Sequence, residues 1–225
     1  DITIFNAEPR VNYDRIMLSP ILSGEKSFQE IVIHGDGWYS KNGITLYKGV
    51  RIDTIDRANK TVSSNTGISL AYDKLIIATG SLPIIIPIPG HDLAGVLTYR
   101  DLDDVQAMIL AARSGGRAVV IGGGLLGLEA AAGLRHQGMD VTVLHLAPTL
   151  LERQLDSTAG YLLQRAVEDR GIQVITRADT REILGSARVE AVRLADGTEI
   201  PADLVVMAVG IKPNAQIAKD AGLST

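Results

Sequence analysis

Cysteine is missing from all 225 residues, which excludes a disulfide, a redox-active dithiol and a cysteine-ligated zinc or iron–sulfur site within them. Any electron carrier held here is therefore bound non-covalently. A basic excess is lacking too. The 22 Lys and Arg residues face 26 Asp and Glu, a net charge of −4, and no basic run offers a surface to nucleic acid or to an anionic membrane. Long apolar runs are also absent: Leu75 to Ala78 and Leu204 to Val209 are strand-length, far short of the roughly 20 residues a bilayer span needs. Neither nucleic acid nor membrane is expected as a partner. No Gly-x-Ser-x-Gly elbow is present, which sets aside a serine hydrolase. His34, His91 and His136 have no Asp, Glu or Cys at ligand spacing, and Asp101, Asp103 and Asp104 suit the first turn of a helix. No metal site and no catalytic side chain are expected. No secretory signal is visible, as in a cytoplasmic protein, although the sequence starts mid-strand at Asp1 without a methionine.

What is present is 46% hydrophobic residues, enough to build a sizeable core in one large or two small domains. Residues 117–129, Arg-Ala-Val-Val-Ile-Gly-Gly-Gly-Leu-Leu-Gly-Leu-Glu, run from a short apolar strand through Gly-x-Gly-x-x-Gly into an Ala-rich helix. In that setting Gly122 permits a tight turn, Gly124 lets the backbone approach a pyrophosphate, and Gly127 lets helix and strand pack closely. Gly123, Leu125 and Leu126 complete the loop, whose free amides meet the anion. A second strand at 141–145 supplies the context that makes this pattern specific.

The chain also repeats itself. Asn42-Gly-Ile-Thr-Leu leads to Tyr72-Asp-Lys-Leu-Ile-Ile-Ala-Thr-Gly80, and Arg170-Gly-Ile-Gln-Val leads to Ala202-Asp-Leu-Val-Val-Met-Ala-Val-Gly210. Each copy predicts a helix stopped by glycine (Gly43, Gly171), a short strand and a meander turning at Asn65-Thr-Gly67 or Asp196-Gly197. Each then closes on a buried parallel strand that ends in glycine. The expected fold is α/β, with two Rossmann-like domains, each a parallel sheet plus a small antiparallel meander, the second inserted in the first. Expected boundaries are 1–97 with 212–225 for the first domain and 98–211 for the second. Pro83, Pro87 and Pro89 mark a rigid link, and Thr98 to Arg113 reads as a capped amphipathic helix entering the second domain. Asp1-Ile-Thr-Ile-Phe matches Asp140-Val-Thr-Val-Leu, the second strand of the other copy, so the first strand and glycine loop of the first copy are expected upstream of Asp1. Trp38 and Tyr39 are expected to pack their helix onto the sheet.

Taken together, residues 1–223 resemble the pyridine nucleotide-disulfide reductase superfamily. Tyr13 to Ser19, Gly122 to Ala131 and Leu151-Glu-Arg-Gln-Leu-Asp156 are similar to the large subunits of assimilatory NAD(P)H nitrite reductases. The resemblance implies FAD and NAD(P)H as cofactors, hydride passing between them, and electrons leaving for an iron–sulfur centre and sirohaem in a part of the protein outside these residues. It implies that Ala78, Thr79 and Gly80 close against FAD, that Arg15 and Arg100 contact it, that Ile52 offers main chain to its adenine, and that Glu8 accepts from its ribose. Glu129, placed on the first turn of its helix, is implied to hold the nicotinamide carboxamide, and Gly210 to border the nicotinamide nucleotide. His145 ends the second strand, where NAD-specific relatives put an acid. Neutral, it can share a ribose hydroxyl; protonated, it would favour a 2′-phosphate. NADH is the favoured donor, and NADPH stays open. The sequence departs from ferredoxin reductases at Pro20, where those enzymes carry lysine after the Leu-Ser pair. Expected partners are an electron-acceptor domain or small subunit, and the oligomeric state is left open, with a homodimer as one option. A ferredoxin or rubredoxin reductase-type flavoprotein and a non-catalytic nucleotide-binding sensor stand as alternatives. A water-forming NADH oxidase is disfavoured, because such relatives use a cysteine.

Overall fold

The computed structural model describes residues 1–225. In chain order it contains β1 (Ile2–Asn6), a 3-10 turn (Arg15–Met17), α1 (Leu18–Ser23), α2 (Phe28–Ile31), α3 (Asp36–Lys41), β2 (Ile44–Lys48), β3 (Ile52–Asp56), β4 (Thr61–Ser64), β5 (Ser69–Ala71), β6 (Ser81–Pro83) and β7 (Val96–Thr98). There follow α4 (Leu102–Ala112), β8 (Arg117–Ile121), α5 (Leu125–His136), β9 (Asp140–His145), α6 (Ser157–Glu168), β10 (Ile172–Thr176), β11 (Thr180–Leu184), β12 (Ala191–Leu194), β13 (Glu199–Pro201), β14 (Leu204–Met207), β15 (Ile211–Pro213) and α7 (Gln216–Asp220). Two compact units result: Asp1–Asp14 with Phe28–Leu82 and Lys212–Thr225, and Arg15–Ser27 with Pro83–Ile211. The second is thus inserted in the first, and the fold is α/β with two Rossmann-like units. No helix is long and apolar enough to cross a membrane.

The larger unit is built on a parallel sheet of order β10-β9-β8-β14-β7. Its central strands are apolar at every covered position. Ala118 to Ile121 and Leu204 to Met207 are all buried, as expected of strands covered on both faces. α5 and α6 serve as the crossovers from β8 to β9 and from β9 to β10, which parallel neighbours require. α4 begins at Asp101, whose side chain accepts from the amides of Asp103 and Asp104 while the Asp104 carboxylate returns to the Asp101 amide, a capping box. These acids therefore have a structural occupation. α1 packs in the same unit: Leu22 is fully buried, and a Cβ on Gly133 of α5 would lie 2.6 Å from Leu22 Cγ. The antiparallel sheet β11-β12-β13 completes the unit. One apolar cluster joins it to the parallel sheet through Val192, Ile183, Val119 and Val205.

The smaller unit carries the parallel pair β1-β2 and the meander β3-β4-β5. Repetition extends to irregularity. The register slips between Ile52 and Thr54 in β3, and between Thr180 and Glu182 in β11, the same point of each meander. A shared bulge is a designed feature of both copies. One expectation fails here: the run before Gly80 is not a buried strand. Residues 75–80 are unpaired, and Ile76 is 89% exposed. The physical reason is the absence of neighbours. Leu204–Met207 lies between β8 and β7, whereas no strand flanks 75–80. Trp38 also differs. It is 40% exposed and stacks on His34 with ring centroids 3.9 Å apart, whereas Tyr39 beside it is buried.

Candidate functional site

The glycine loop leaves the carboxyl end of β8, the strand where the order reverses: β9 and β10 lie on one side, β14 and β7 on the other. Open α/β sheets bind ligands at such a switch point. Gly122 has φ +121° and its amide donates to Leu144 O at 2.8 Å. A Cβ there would run into the Ala208 carbonyl, and one on Gly127 into the Gly122 carbonyl. Gly123 is equally enclosed, since a Cβ would stand 2.5 Å from Leu150 Cδ2 and 2.8 Å from His145 Cγ. Gly124 is the exception. Nothing lies within 4 Å of its Cβ position, and as the N-cap of α5 it supplies no side-chain acceptor to the helix amides. The first turn of α5 holds no acid. Its orphan N–H groups and the positive end of the helix dipole are thereby left for an anion.

His145 is turned into the protein beneath this loop. The Gly123 amide donates to its Nδ1 at 3.0 Å, and its Nε2 lies 3.0 Å from Glu152 Oε2. A ring nitrogen that accepts an amide hydrogen carries no proton, so the tautomer is fixed and Nε2–H donates to the carboxylate. Both nitrogens of the residue expected to meet a ribose are thus engaged internally. Glu152 itself follows Leu151, one of three non-glycine residues with positive φ, at +51°. The Leu151 amide donates to Gly123 O at 3.2 Å. Both the N–H and the C=O of Gly123 are consequently tied to the 145–152 segment.

Glu129 does not lie on the first turn of its helix. Because Gly124 is extended, with φ −83° and ψ −177°, the helix starts only at Leu125 and Glu129 falls in its second turn. It is exposed, and Ser19 Oγ donates to its Oε2 at 2.5 Å. Ser19 also pairs with the Tyr99 hydroxyl at 2.8 Å. Burial, then the nearby Glu129 charge, pushes the Tyr99 phenol up to about 12 against the opposing Ser19 hydrogen bond. Arg15 and Arg100 come together in this unit, the Arg15 guanidinium donating to Arg100 O at 3.0 Å. Gly210, with φ +125°, follows the end of β14, and its carbonyl accepts from Ile84 N–H.

In the smaller unit Ala78, Thr79 and Gly80 line a cavity of about 410 Å³ together with Asn214 and Ala215. Asn214 clamps this turn: its amide donates to Gly80 O at 2.9 Å, its side chain to Thr79 O, and the Thr79 hydroxyl to Asn214 O. Glu8 lies just past β1 and accepts from the Tyr13 hydroxyl at 2.8 Å, with Arg10 3.5 Å away. Ile52 opens β3, half-buried opposite Ser64. No group of three or more His, Asp or Glu is gathered as a metal site. Sequence reasoning missed Glu152, Ser19, Tyr99 and Asn214. Glu152 falls within the distinctive stretch Leu151 to Asp156, but nothing in the spacing connects it to His145.

Comparison with known proteins gives a consistent answer. The family model described as pyridine nucleotide-disulphide oxidoreductase matches residues 1–225. The chain is 50% identical over 222 residues to a nitrite reductase [NAD(P)H] of Bacillus subtilis, covering 99% of this chain and 28% of the relative. It is 46% identical over 223 residues to the assimilatory nitrate reductase electron transfer subunit of the same organism, covering 99% and 29%. Among solved structures, a ferredoxin reductase from Rhodopseudomonas palustris matches with TM-score 0.93 at 30% identity, covering 100% of this chain and 56% of that one. The chain therefore spans under a third of the length of those two curated relatives.

Proposed function

The chain belongs to the pyridine nucleotide-disulphide oxidoreductase family, and from that premise we propose that it is the FAD- and NAD(P)H-binding portion of an oxidoreductase. The bound cofactors supply hydride transfer from NAD(P)H to FAD and release of electrons to an acceptor. Nitrite reduction, at iron–sulfur and sirohaem centres carried by other residues, is the end use that the nitrite reductase relative supports. One observation carries the reading: the uncapped start of α5, with open space over Gly124, lies at the switch point of a parallel sheet. That combination fits a dinucleotide pyrophosphate.

The residues divide the work. Gly122 and Gly127 fix the loop, Gly124 and the α5 amides receive the pyrophosphate, and exposed Leu125 and Leu126 lose water when covered. Glu129, steadied by Ser19, offers an exposed carboxylate to the nicotinamide carboxamide. His145 and Gly210 complete this domain, 98–211. The flavin domain, expected over 1–97 with 212–225, would hold FAD through Ala78, Thr79 and Gly80, with Glu8 and Ile52 as further contacts; Arg15 and Arg100, implied by the resemblance as FAD contacts, lie in the larger unit. The fit there is partial: the Asn214 clamp holds the Thr79–Gly80 turn against a cavity, and the helices of the smaller unit that start without a side-chain cap, α3 and α7, are only six and five residues long. No side chain need act as nucleophile. The protein's part is to align two rings and exclude water.

A second reading is supported by the relative described as an electron transfer subunit and by the likeness to a ferredoxin reductase. There the acceptor is a separate protein. One experiment tests the shared core: a full-length preparation is yellow and bleaches when NADH is added without oxygen. A preparation that takes up neither flavin nor nicotinamide nucleotide refutes it. Sedimentation of the same sample tests whether it is a homodimer.

A further inference from the structure

Resting on the nicotinamide-nucleotide reading of the α5 loop, we infer that Glu152 is the residue that selects NADH over NADPH, and that His145 positions it. A dinucleotide fold of this kind places an acid about 20 residues beyond the glycine loop, at the end of the second strand, to accept from the adenosine ribose hydroxyls. The residue at that place is His145, and its ring has no nitrogen to spare for a ribose, because Nδ1 accepts the Gly123 amide and Nε2–H is given to Glu152. The imidazole instead conveys the need for an acceptor to a carboxylate seven residues on. Its side chain is only 10% exposed, whereas that of Glu152 is 40% exposed. The buried partner is the strut and the open one the contact.

Three separate features hold Glu152 beside the loop. Nε2 of His145 bonds its Oε2, the Leu151 amide bonds Gly123 O, and Leu151 takes a positive φ that a leucine adopts only where its surroundings enforce it. The hydrogen bond from His145 Nε2 uses one carboxylate oxygen. Oε1 keeps its acceptor capacity, and a carboxylate with two oxygens can serve both a ring N–H and a vicinal diol. A 2′-phosphate brought to the same place would set a phosphate dianion against an ionised carboxylate. Arg153, next in sequence and exposed, is the residue that a 2′-phosphate reader would have to use.

The test is anaerobic equilibrium titration of the full-length protein, its flavin first reduced with dithionite so that no hydride can be transferred, with NADH and, separately, with NADPH, read by nucleotide fluorescence. Wild-type protein binds NADH at least tenfold more tightly than NADPH. Glu152→Gln cuts that ratio at least fivefold, weakening NADH and sparing or improving NADPH. His145→Asn, which removes the strut and leaves Glu152 in place, lowers the ratio severalfold while pyrophosphate-dependent binding persists. Glu168→Gln, a carboxylate at the far end of α6, leaves the ratio unchanged and controls for net charge. Unfolding curves of each variant confirm that a loss is not a loss of fold. The inference is overturned if Glu152→Gln binds both nucleotides with the wild-type ratio, or if the wild type prefers NADPH and Arg153→Gln abolishes that preference. Failure of the wild type to bind either nucleotide refutes the nucleotide site as well, so the two ideas fail in different ways.

Discussion

Two neighbouring glycines should respond oppositely to the same methyl group. At Gly123 the added Cβ would press on Leu150 Cδ2 at 2.5 Å and His145 Cγ at 2.8 Å, both in buried residues. Relief requires the loop to lift, which overpacks or breaks the Gly123–His145 hydrogen bond. Overpacking costs typically 1–3 kcal/mol and a lost internal hydrogen bond about 1 kcal/mol, so Gly123→Ala should destabilise by about 2–4 kcal/mol. For a domain of this size that lowers Tm by roughly 4–16 °C. At Gly124 nothing stands within 4 Å, and φ −83° with ψ −177° suits alanine. The entropy lost by the unfolded chain offsets the weaker N-cap, and Gly124→Ala should keep its stability within about 1 kcal/mol. Its methyl group, however, occupies the space where a pyrophosphate must approach. Urea or thermal unfolding, paired with NADH titration, separates the two effects. Stability lost at 123 with nucleotide binding lost at 124 is the expected result. A Gly124→Ala protein that binds NADH like wild type, or that unfolds as easily as Gly123→Ala, would refute the reasoning.

Other expectations follow from the same geometry. Because Tyr99 is pushed up to about 12 by burial, the folded state holds the phenol proton more tightly than the unfolded chain. That stability is complete below pH 10 and is lost as the pH climbs to about 12, a change on the order of 2–3 kcal/mol. Tyr99→Phe should flatten this alkaline slope in urea midpoints. Asp101→Ala removes the one oxygen, Oδ1, that accepts from both the Asp103 and Asp104 amides of the α4 cap and should cost about 1–2 kcal/mol, with Asp101→Ser recovering most of it by chemical denaturation. Leu22→Ala empties a fully buried site between α1 and α5. A loss of about 2–5 kcal/mol is expected, and proteolysis should then cut first near Ser23.

The second unit was legible because its signals are local and mutually consistent. Strand Arg117–Ile121, helix Leu125–His136 and strand Asp140–His145 each announce themselves by apolar runs bounded by glycine, whereas the helix expected from Thr98 to Arg113 is shorter: Thr98 ends β7, and Asp101 is the N-cap of Leu102–Ala112 rather than a first-turn residue. The first unit misled where locality fails. Residues 75–80 have the composition of Leu204–Met207, but composition cannot say whether neighbours are present to pair with them. The site divides in the same way. The steric roles of Gly122 and Gly127 follow from motif spacing, whereas the bond from His145 to Glu152 depends on a left-handed Leu151, which no side-chain pattern encodes. Ser19 and Glu129, 110 residues apart, meet only through the docking of α1.

That docking has a consequence for how the chain is made. α1 is synthesised well before α5, yet the Leu22 carbonyl is fastened by Gln137, 115 positions later. The helix must therefore wait, uncovered, until α5 has been made. A gene fragment encoding 83–211 by itself would lack this piece and expose a slot on α5 around Gly133. Adding a peptide of residues 15–27 in trans is the natural way to fill it.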